Sequence, residues 1–256
     1  MTKSVAIVTG ASSGIGRATA IRLAGDFSAI VVAARGGEKL GEVAEAITAM
    51  GAQALPIEID LSEPTAADVV ISKALNTYGR IDALVNIAGA VPGIDLFDLT
   101  DEQWDVAMAL KFHGARRLTL KAWASLKSTG GAVVFTSGTA AVTPVAATAA
   151  IGTINAAIEA LAKAFSDRGI KDGVQVNSVS PGPVMTARRQ GLIAKAAGTK
   201  GISVEQAKEK FLEQAGVARF GEPEELAELM AFAVSPAARW MTGTVLRMDG
   251  GETKSV

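Results

Sequence analysis

Three glycines near the start of the chain have the spacing to hold phosphate. In "VTGASSGIGRA", Gly10, Gly14 and Gly16 stand as Gly-x-x-x-Gly-x-Gly between a β-branched run and a helical one. Small residues let a backbone approach a pyrophosphate closely. A helix N-terminus behind them offers free N–H groups and a partial positive charge. Any strand-to-helix turn favours glycine, so the pattern gains its force from the strand before it and the helix after it. Composition closes off other chemistries. The chain has no cysteine, which excludes disulfides, thiolate catalysis and zinc–thiolate sites. Its single histidine, His113, excludes a multi-histidine metal site, and no metal is expected. With 25 basic and 26 acidic residues there is no positive excess to neutralise nucleic-acid phosphates.

The elements that must position this loop alternate in type. "SVAIVTG" (4–10) reads as a strand and "GRATAIRLAGD" (16–26) as a helix. "SAIVVAAR" (28–35) is a strand and "EKLGEVAEAITAMG" (38–51) a helix. "AQALPIEID" (52–60) and "TAADVVISKALNTYG" (65–79) repeat the alternation. "RIDALVNIAG" (80–89), "GAVVFTS" (131–137), "GVQVNSVSP" (173–181) and "GTVLRMDGG" (243–251) complete seven strands. A long helix follows Thr100, a good N-cap ahead of Asp101 and Glu102. Strands spaced by helices predict right-handed crossovers and a parallel sheet, and strands apolar on both faces predict helices on both sides. The expectation is one α/β domain over 1–256, a doubly wound seven-stranded parallel sheet. Residues 187–211 read as a mobile, partly helical, lid-like insertion. Its Arg188, Arg189, Lys195 and Lys200 could meet an acidic substrate or form an ordinary solvated face. No apolar run approaches the ~20 residues of a membrane helix, and a cytoplasmic protein is expected.

The chain resembles the short-chain dehydrogenase/reductase family along essentially its whole length. "TGASSGIG" is similar to that family's cofactor loop, which implies cofactor contacts from Gly10, Ser12, Ser13, Gly14, Ile15 and Gly16. "IDLS" is similar to the turn that brings Asp60 and Leu61 to the adenine. "NIAG" resembles the family's Asn-Asn-Ala-Gly, implying roles for Asn86, Ala88 and Gly89, with Ile87 replacing the second Asn. "NSVSPGPVMT" resembles the Pro-Gly turn at the nicotinamide, implying Pro181, Gly182, Val184 and Thr186. The resemblance implies a Rossmann-type fold and an NAD(P) cofactor. NAD-preferring members end the second strand with an acidic residue for the ribose 2′-OH. Here Ala34 stands there and Arg35 follows. An arginine pairs with a 2′-phosphate where a carboxylate would repel it, so NADP(H) is expected over NAD(H).

The family's reaction resembles nothing that "TAAIGTINAAIEAL" (148–161) can do unaided. The family uses a tyrosine proton donor, a lysine four residues later, a serine on the preceding strand end and an asparagine on the long helix. "NAAIEALAK" (155–163) resembles the run that follows the lysine, which places Asn155 at the lysine and Ile151 at the tyrosine. Gly138 then falls at the serine and Lys111, in "MALKFHG", at the asparagine. The only tyrosine, Tyr78, lies in "NTYGRID". The catalytic residues are therefore unassigned, with Lys111, Ser137 and Thr139 as possible substitutes. His113, two residues from Lys111, is expected to face away from the pocket.

Two functions follow as expectations. One is an NADP(H)-dependent oxidoreductase of a carbonyl or alcohol with a non-standard proton source. The other is a catalytically inactive dinucleotide-binding scaffold, sensor or partner subunit; a lyase or isomerase step in the reshaped pocket is a third. The partner is a small molecule, with neither nucleic acid nor membrane. Ile151, Ile154, Ile158, Leu161 and Phe165 recur at helical spacing and exceed what one sheet face needs. Together with the family habit of tetramers, this predicts a homo-oligomer, dimer or tetramer.

Overall fold

In the computed structural model, which describes residues 4–254, strands and helices alternate along the chain. The strands are β1 (Val5–Thr9), β2 (Ala29–Ala34), β3 (Gln53–Glu58), β4 (Ala83–Asn86), β5 (Ala132–Thr136), β6 (Gln175–Pro181) and β7 (Val245–Met248). They form one parallel sheet in the order β3-β2-β1-β4-β5-β6-β7. The order reverses beside β1, so the crossovers to either side diverge above the C-terminal ends of β1 and β4. A crevice opens there, the place where open α/β sheets bind ligands.

The helices are α1 (Gly14–Leu23), α2 (Gly37–Ala49), α3 (Ala66–Tyr78), α4 (Asp101–Ala107), α5 (Ala115–Thr129), α6 (Ala149–Asp172), α7 (Ala187–Lys200), α8 (Val204–Ala215) and α9 (Pro223–Val234). Side-chain alternation along β1 divides the core. Val5 and Ile7 join a cluster with Val70, Leu118, Ala122 and Ile158 from α3, α5 and α6. Ala6 and Val8 join another with Leu23, Leu40, Val43 and Met230 from α1, α2 and α9. Both faces are thus covered, which is why the strands lack polar alternation. This is the expected Rossmann-type α/β fold.

Three expectations change in detail. The long helix after Thr100 does form, with a capping box between Thr100 and Gln103. It is not uniformly α, because Met108–Gly114 is wound as a π-helix between α4 and α5. Second, 187–211 is part of a helical hairpin that continues to Ala215. Thr186 caps α7, Gly201 ends it in the left-handed conformation, and Ser203 with Gln206 forms a capping box on α8. Ile193, Ala197, Ala207 and Phe220 give the hairpin its own small core. Third, the apolar stripe of α6 is used in part within this chain. Ile154 and Ile158 are buried, Ile151 packs with Val91 and Ala107, and Phe165 stacks on Phe135. A helix of 24 residues crosses both the main core and the small cluster beside it, and Ile151, Leu161 and Phe165 stay only partly buried along it.

Candidate functional site

The glycine loop shows why each of its glycines is needed. Gly10 and Gly14 have φ of 66° and 52°, a region that side chains disfavour. A Cβ on Gly16 would lie 2.2 Å from the Gly10 carbonyl oxygen. A Cβ on Gly10 would lie 3.0 Å from the backbone of Ala88. The Thr9 hydroxyl accepts from the amides of Ile87 and Ala88, which fixes the β4 exit against the loop. The N-terminus of α1 has no side-chain cap and no acidic residue in its first turn. Its amides and dipole are left for an anion.

These residues line a cleft of about 740 Å³. Of the residues singled out in the sequence, Gly10, Ser12, Ser13, Gly14, Ile15, Gly16, Arg35, Leu61, Ala88, Gly89 and Thr186 line it. Lys39, Glu38, Leu110 and Arg188 also do, and motif reasoning had not placed them there. The first turn of α2 carries the first two. Arg35 is largely exposed, with Asp60 3.7 Å away. Asp60 accepts from the Ser62 amide and hydroxyl, which hold its carboxyl below its ordinary pKa. Asn86 lies outside the cleft lining, where it is buried and donates to Thr119 on α5. Gly182 and Val184 line a second cavity with Met248, Asp249 and Glu225, and Pro181 is the last residue of β6.

Beyond the cleft, several side chains converge at the ends of β4, β5 and β6. Lys111 projects from the π-helical segment, and its Nζ donates to Asn155 Oδ1 on α6 and, at 3.3 Å, to the Ser137 carbonyl. Burial brings this ammonium down to about 8. The charge of Arg188 adds to the lowering, and the Glu159 carboxylate opposes it. Ser137 Oγ donates to Glu159 at 2.6 Å. Glycines make the room for this arrangement. A Cβ at Gly89 would lie 3.0 Å from Lys111 Cδ, and one at Gly138 would lie 2.8 Å from Asn155 Nδ2. Position 138 therefore has no space for a serine while Asn155 holds this rotamer.

Ile151, Asn155 and Glu159 follow one another at one-turn spacing along α6. Glu159 is the participant that sequence reading missed; its only signal was that spacing. Ile151 is partly buried in the cluster formed by Val91, Ala107, Ala150 and Ile154. Thr139 donates to Glu252 at 2.6 Å. His113 meets the Phe112 ring edge-on, and burial with the charges of Arg117 and Arg116 holds its pKa below the ordinary value. Tyr78 ends α3, packed against the core under the sheet's α3/α5/α6 face. Among the described residues no three histidine, cysteine or acidic side chains gather as a metal site. Among the described residues no helix is long and apolar enough to cross a membrane.

A glycine-lined crevice at the reversal point of a seven-stranded parallel sheet defines a Rossmann-type nucleotide-binding protein. Comparison with known proteins makes this narrower. The chain matches the family model described as enoyl-(acyl carrier protein) reductase over residues 10–253. It is 30% identical to an uncharacterized oxidoreductase of Thermotoga maritima over 250 residues, 97% of each chain. It is 33% identical to the short-chain dehydrogenase/reductase FrzI of Cladobotryum sp, covering 96% of this chain and 94% of that one. The crystal structure of L-sorbose reductase from Gluconobacter frateurii, complexed with NADPH and L-sorbose, superposes with a TM-score of 0.95 at 28% identity. That match covers all of this chain and 98% of the other. The chain belongs to the short-chain dehydrogenase/reductase family.

Proposed function

We propose that this protein is an NADP(H)-dependent oxidoreductase of a carbonyl or alcohol substrate, with Lys111 as its proton donor and acceptor. When bound, the cofactor supplies or takes up the hydride. The residues fit it: the uncapped α1 N-terminus and the Gly10–Gly16 loop suit the pyrophosphate, and Arg35 and Lys39 suit the extra 2′-phosphate. Ala34 leaves no carboxylate at the end of β2 to repel that phosphate.

One observation carries the proton role. A lysine ammonium has three donors. Lys111 spends two, on Asn155 and Ser137, and the third has no acceptor among the described residues. A proton held near neutrality by burial suits general acid–base work at that spot. Asn155 takes the lysine's place in the family pattern, and Lys111 comes from the opposite helix to bond it. Gly138 and Gly89 give up their side chains to let both in. The four positions make sense only together. On reduction, the Lys111 ammonium would pass its proton to the substrate oxygen as the hydride arrives at carbon. Asn155 and the Ser137 carbonyl would hold the resulting amine in place, and Ile151 would keep water from the reacting carbon. The hairpin of α7 and α8 serves as the lid over this end. A homo-oligomer fits the open edge of β7 and the exposed Phe232 and Trp240 beside it in sequence.

A second reading is a dinucleotide-binding scaffold, sensor or partner subunit without hydride transfer. Ile151 favours it, since an apolar side chain occupies the position from which the family's tyrosine donates. Deuteride transfer decides between the two. NADPH deuterated on both faces of C4 is offered with a panel of ketones, and the products are read by mass spectrometry. Label in the alcohol from the native protein and its loss in Lys111→Ala support the enzyme. Tight NADPH binding with no label in any product leaves the binding protein.

A further inference from the structure

The end of β2 lacks an acid, but the strand beside it does not. In the parallel pairing of β2 with β3, Ala34 stands next to Glu58. Paired residues of parallel strands send their side chains to the same face of the sheet. Ala34 packs in the cluster that holds Leu40 and Val43 of α2, so Glu58 is directed toward α2 as well. Its carboxylate reaches the first turn of that helix, where Oε1 accepts from the Gly37 amide at 3.2 Å. Gly37 has no side chain to obstruct it, since a Cβ there would lie 2.5 Å from Oε2. Gly36, the N-cap of α2, makes no side-chain cap bond, so a carboxylate from β3 serves one amide of that terminus.

The residue it bonds belongs to the rim of the nucleotide cleft. Gly36 and Gly37 line that cleft together with Arg35 and Lys39, the two cations suited to a 2′-phosphate. Glu58 is exposed, and it holds the residue midway between those cations in the chain. A carboxylate at this place distinguishes the two cofactors. It accepts a hydrogen bond from a free ribose hydroxyl and repels a phosphate carried on the same oxygen. The α2 terminus requires only an acceptor for the Gly37 amide; the negative charge is what acts on a phosphate.

We propose that Glu58 is a specificity-determining residue for the cofactor. It supplies from β3 the carboxylate that β2 lacks at Ala34, and its charge tempers the NADP(H) preference set by Arg35 and Lys39. The inference rests on the NADP(H) reading of the cleft and adds the residue that limits it. The protein accepts NAD(H) more readily than Arg35 and Lys39 alone would allow.

The test is calorimetric titration of the native protein and Glu58→Gln with adenosine 2′,5′-bisphosphate and with 5′-AMP. These fragments carry the adenosine ends of the two cofactors, and their binding requires no hydride transfer. Glutamine keeps an oxygen for the Gly37 amide and removes the charge. Affinity for the bisphosphate should rise about three- to fivefold, the scale of one solvent-exposed charge, while affinity for 5′-AMP should not rise. Added salt should shrink the gain. A residue that only caps α2 would lower the melting temperature in Glu58→Ala and leave the ratio of the two affinities as it was. An unchanged ratio in Glu58→Gln therefore overturns the proposal while the NADP(H) reading stands. A native preference for 5′-AMP that weakens in Glu58→Gln refutes that reading and leaves the role of Glu58 in place. Binding of neither fragment to either protein overturns both.

Discussion

Over β1 and β2, the groups offered to a ligand are mainly backbone. They are the α1 amides, a loop whose glycines pack against one another's carbonyls, and the Ala88 backbone across the crevice. Around Lys111 the offered groups are side chains from three elements: an ammonium from the π-helical segment, an amide from α6 and a hydroxyl from the end of β5. The two regions also tolerate change differently. In the first, one added methyl at Gly16 meets a carbonyl 2.2 Å away, so the arrangement is rigidly determined. In the second, one side chain can be exchanged for another provided its neighbours make room, as Gly89 and Gly138 do here. A backbone site is kept or lost whole, whereas a side-chain site can be rebuilt on the same frame.

Separate disruption of each region tests this division, and the largest effect is expected at Lys111. Lys111→Ala should lower hydride transfer by ~10²–10⁴, the usual contribution of a general acid. NADPH affinity, measured by fluorescence titration, should stay within about threefold because the ammonium lies beyond the phosphate contacts. If binding fell along with rate, the two regions would not be separable.

Gly16→Ala is the converse. Its Cβ cannot be accommodated without moving the Gly10 carbonyl, and the loop would lose its register on the pyrophosphate. NADPH affinity should fall by about 100-fold, equivalent to ~3 kcal/mol. A circular dichroism melt checks that the sheet survives. Near-native affinity would show that the loop does not hold the phosphates.

These differences also explain what could be read in advance. The glycine loop was legible because a backbone site leaves a mark in residue type at fixed spacing. The sheet was legible because strands buried on both faces are continuously apolar. The Lys111–Asn155 contact was only half legible. Register along α6 gave the positions, but the contact joins residues 44 apart in sequence, and "MALKFHG" carries no propensity signal for the π-helix on which Lys111 sits. Glu159 read as an ordinary helix acid, since its meaning depends on Ser137 aiming its hydroxyl at it. The α6 stripe was legible as an apolar face, but counting apolar residues does not reveal how many surfaces of the same chain they touch. Asn86 belongs to the recognisable motif, and its bond to Thr119 on α5 is a contact that the motif alone did not announce.

Arg35 sharpens the comparison within the nucleotide region, because it is a side chain in a backbone site. It is exposed and only 3.7 Å from Asp60, so it is free to leave that carboxylate for a phosphate. Arg35→Ala should weaken NADPH binding by about tenfold, the order of one solvent-accessible charge-assisted pair, and leave NADH binding unchanged. Parallel fluorescence titrations of the two cofactors measure this. An equal loss for both would mean that Arg35 contacts the part they share.

The smallest effects concern the proton itself. Reduction requires the protonated lysine, so its rate should be level at low pH and fall as pH rises through about 8. Oxidation of the alcohol requires the neutral amine and should rise through the same midpoint. The charges around Lys111 set the direction in which that midpoint moves. Arg188 disfavours the ammonium, so Arg188→Gln should move it upward. Glu159 favours the ammonium, so Glu159→Gln should move it downward. Arg188 is exposed, and salt screens exposed charges over about 10 Å at 0.1 M. Raising ionic strength should therefore shift the native midpoint in the same direction as Arg188→Gln and have less effect in that variant. Stopped-flow rates across pH at two salt concentrations measure all of these. Opposite movements in the two variants would identify the titrating group as the one lying between Arg188 and Glu159. A midpoint indifferent to both substitutions would place the proton on some group other than Lys111.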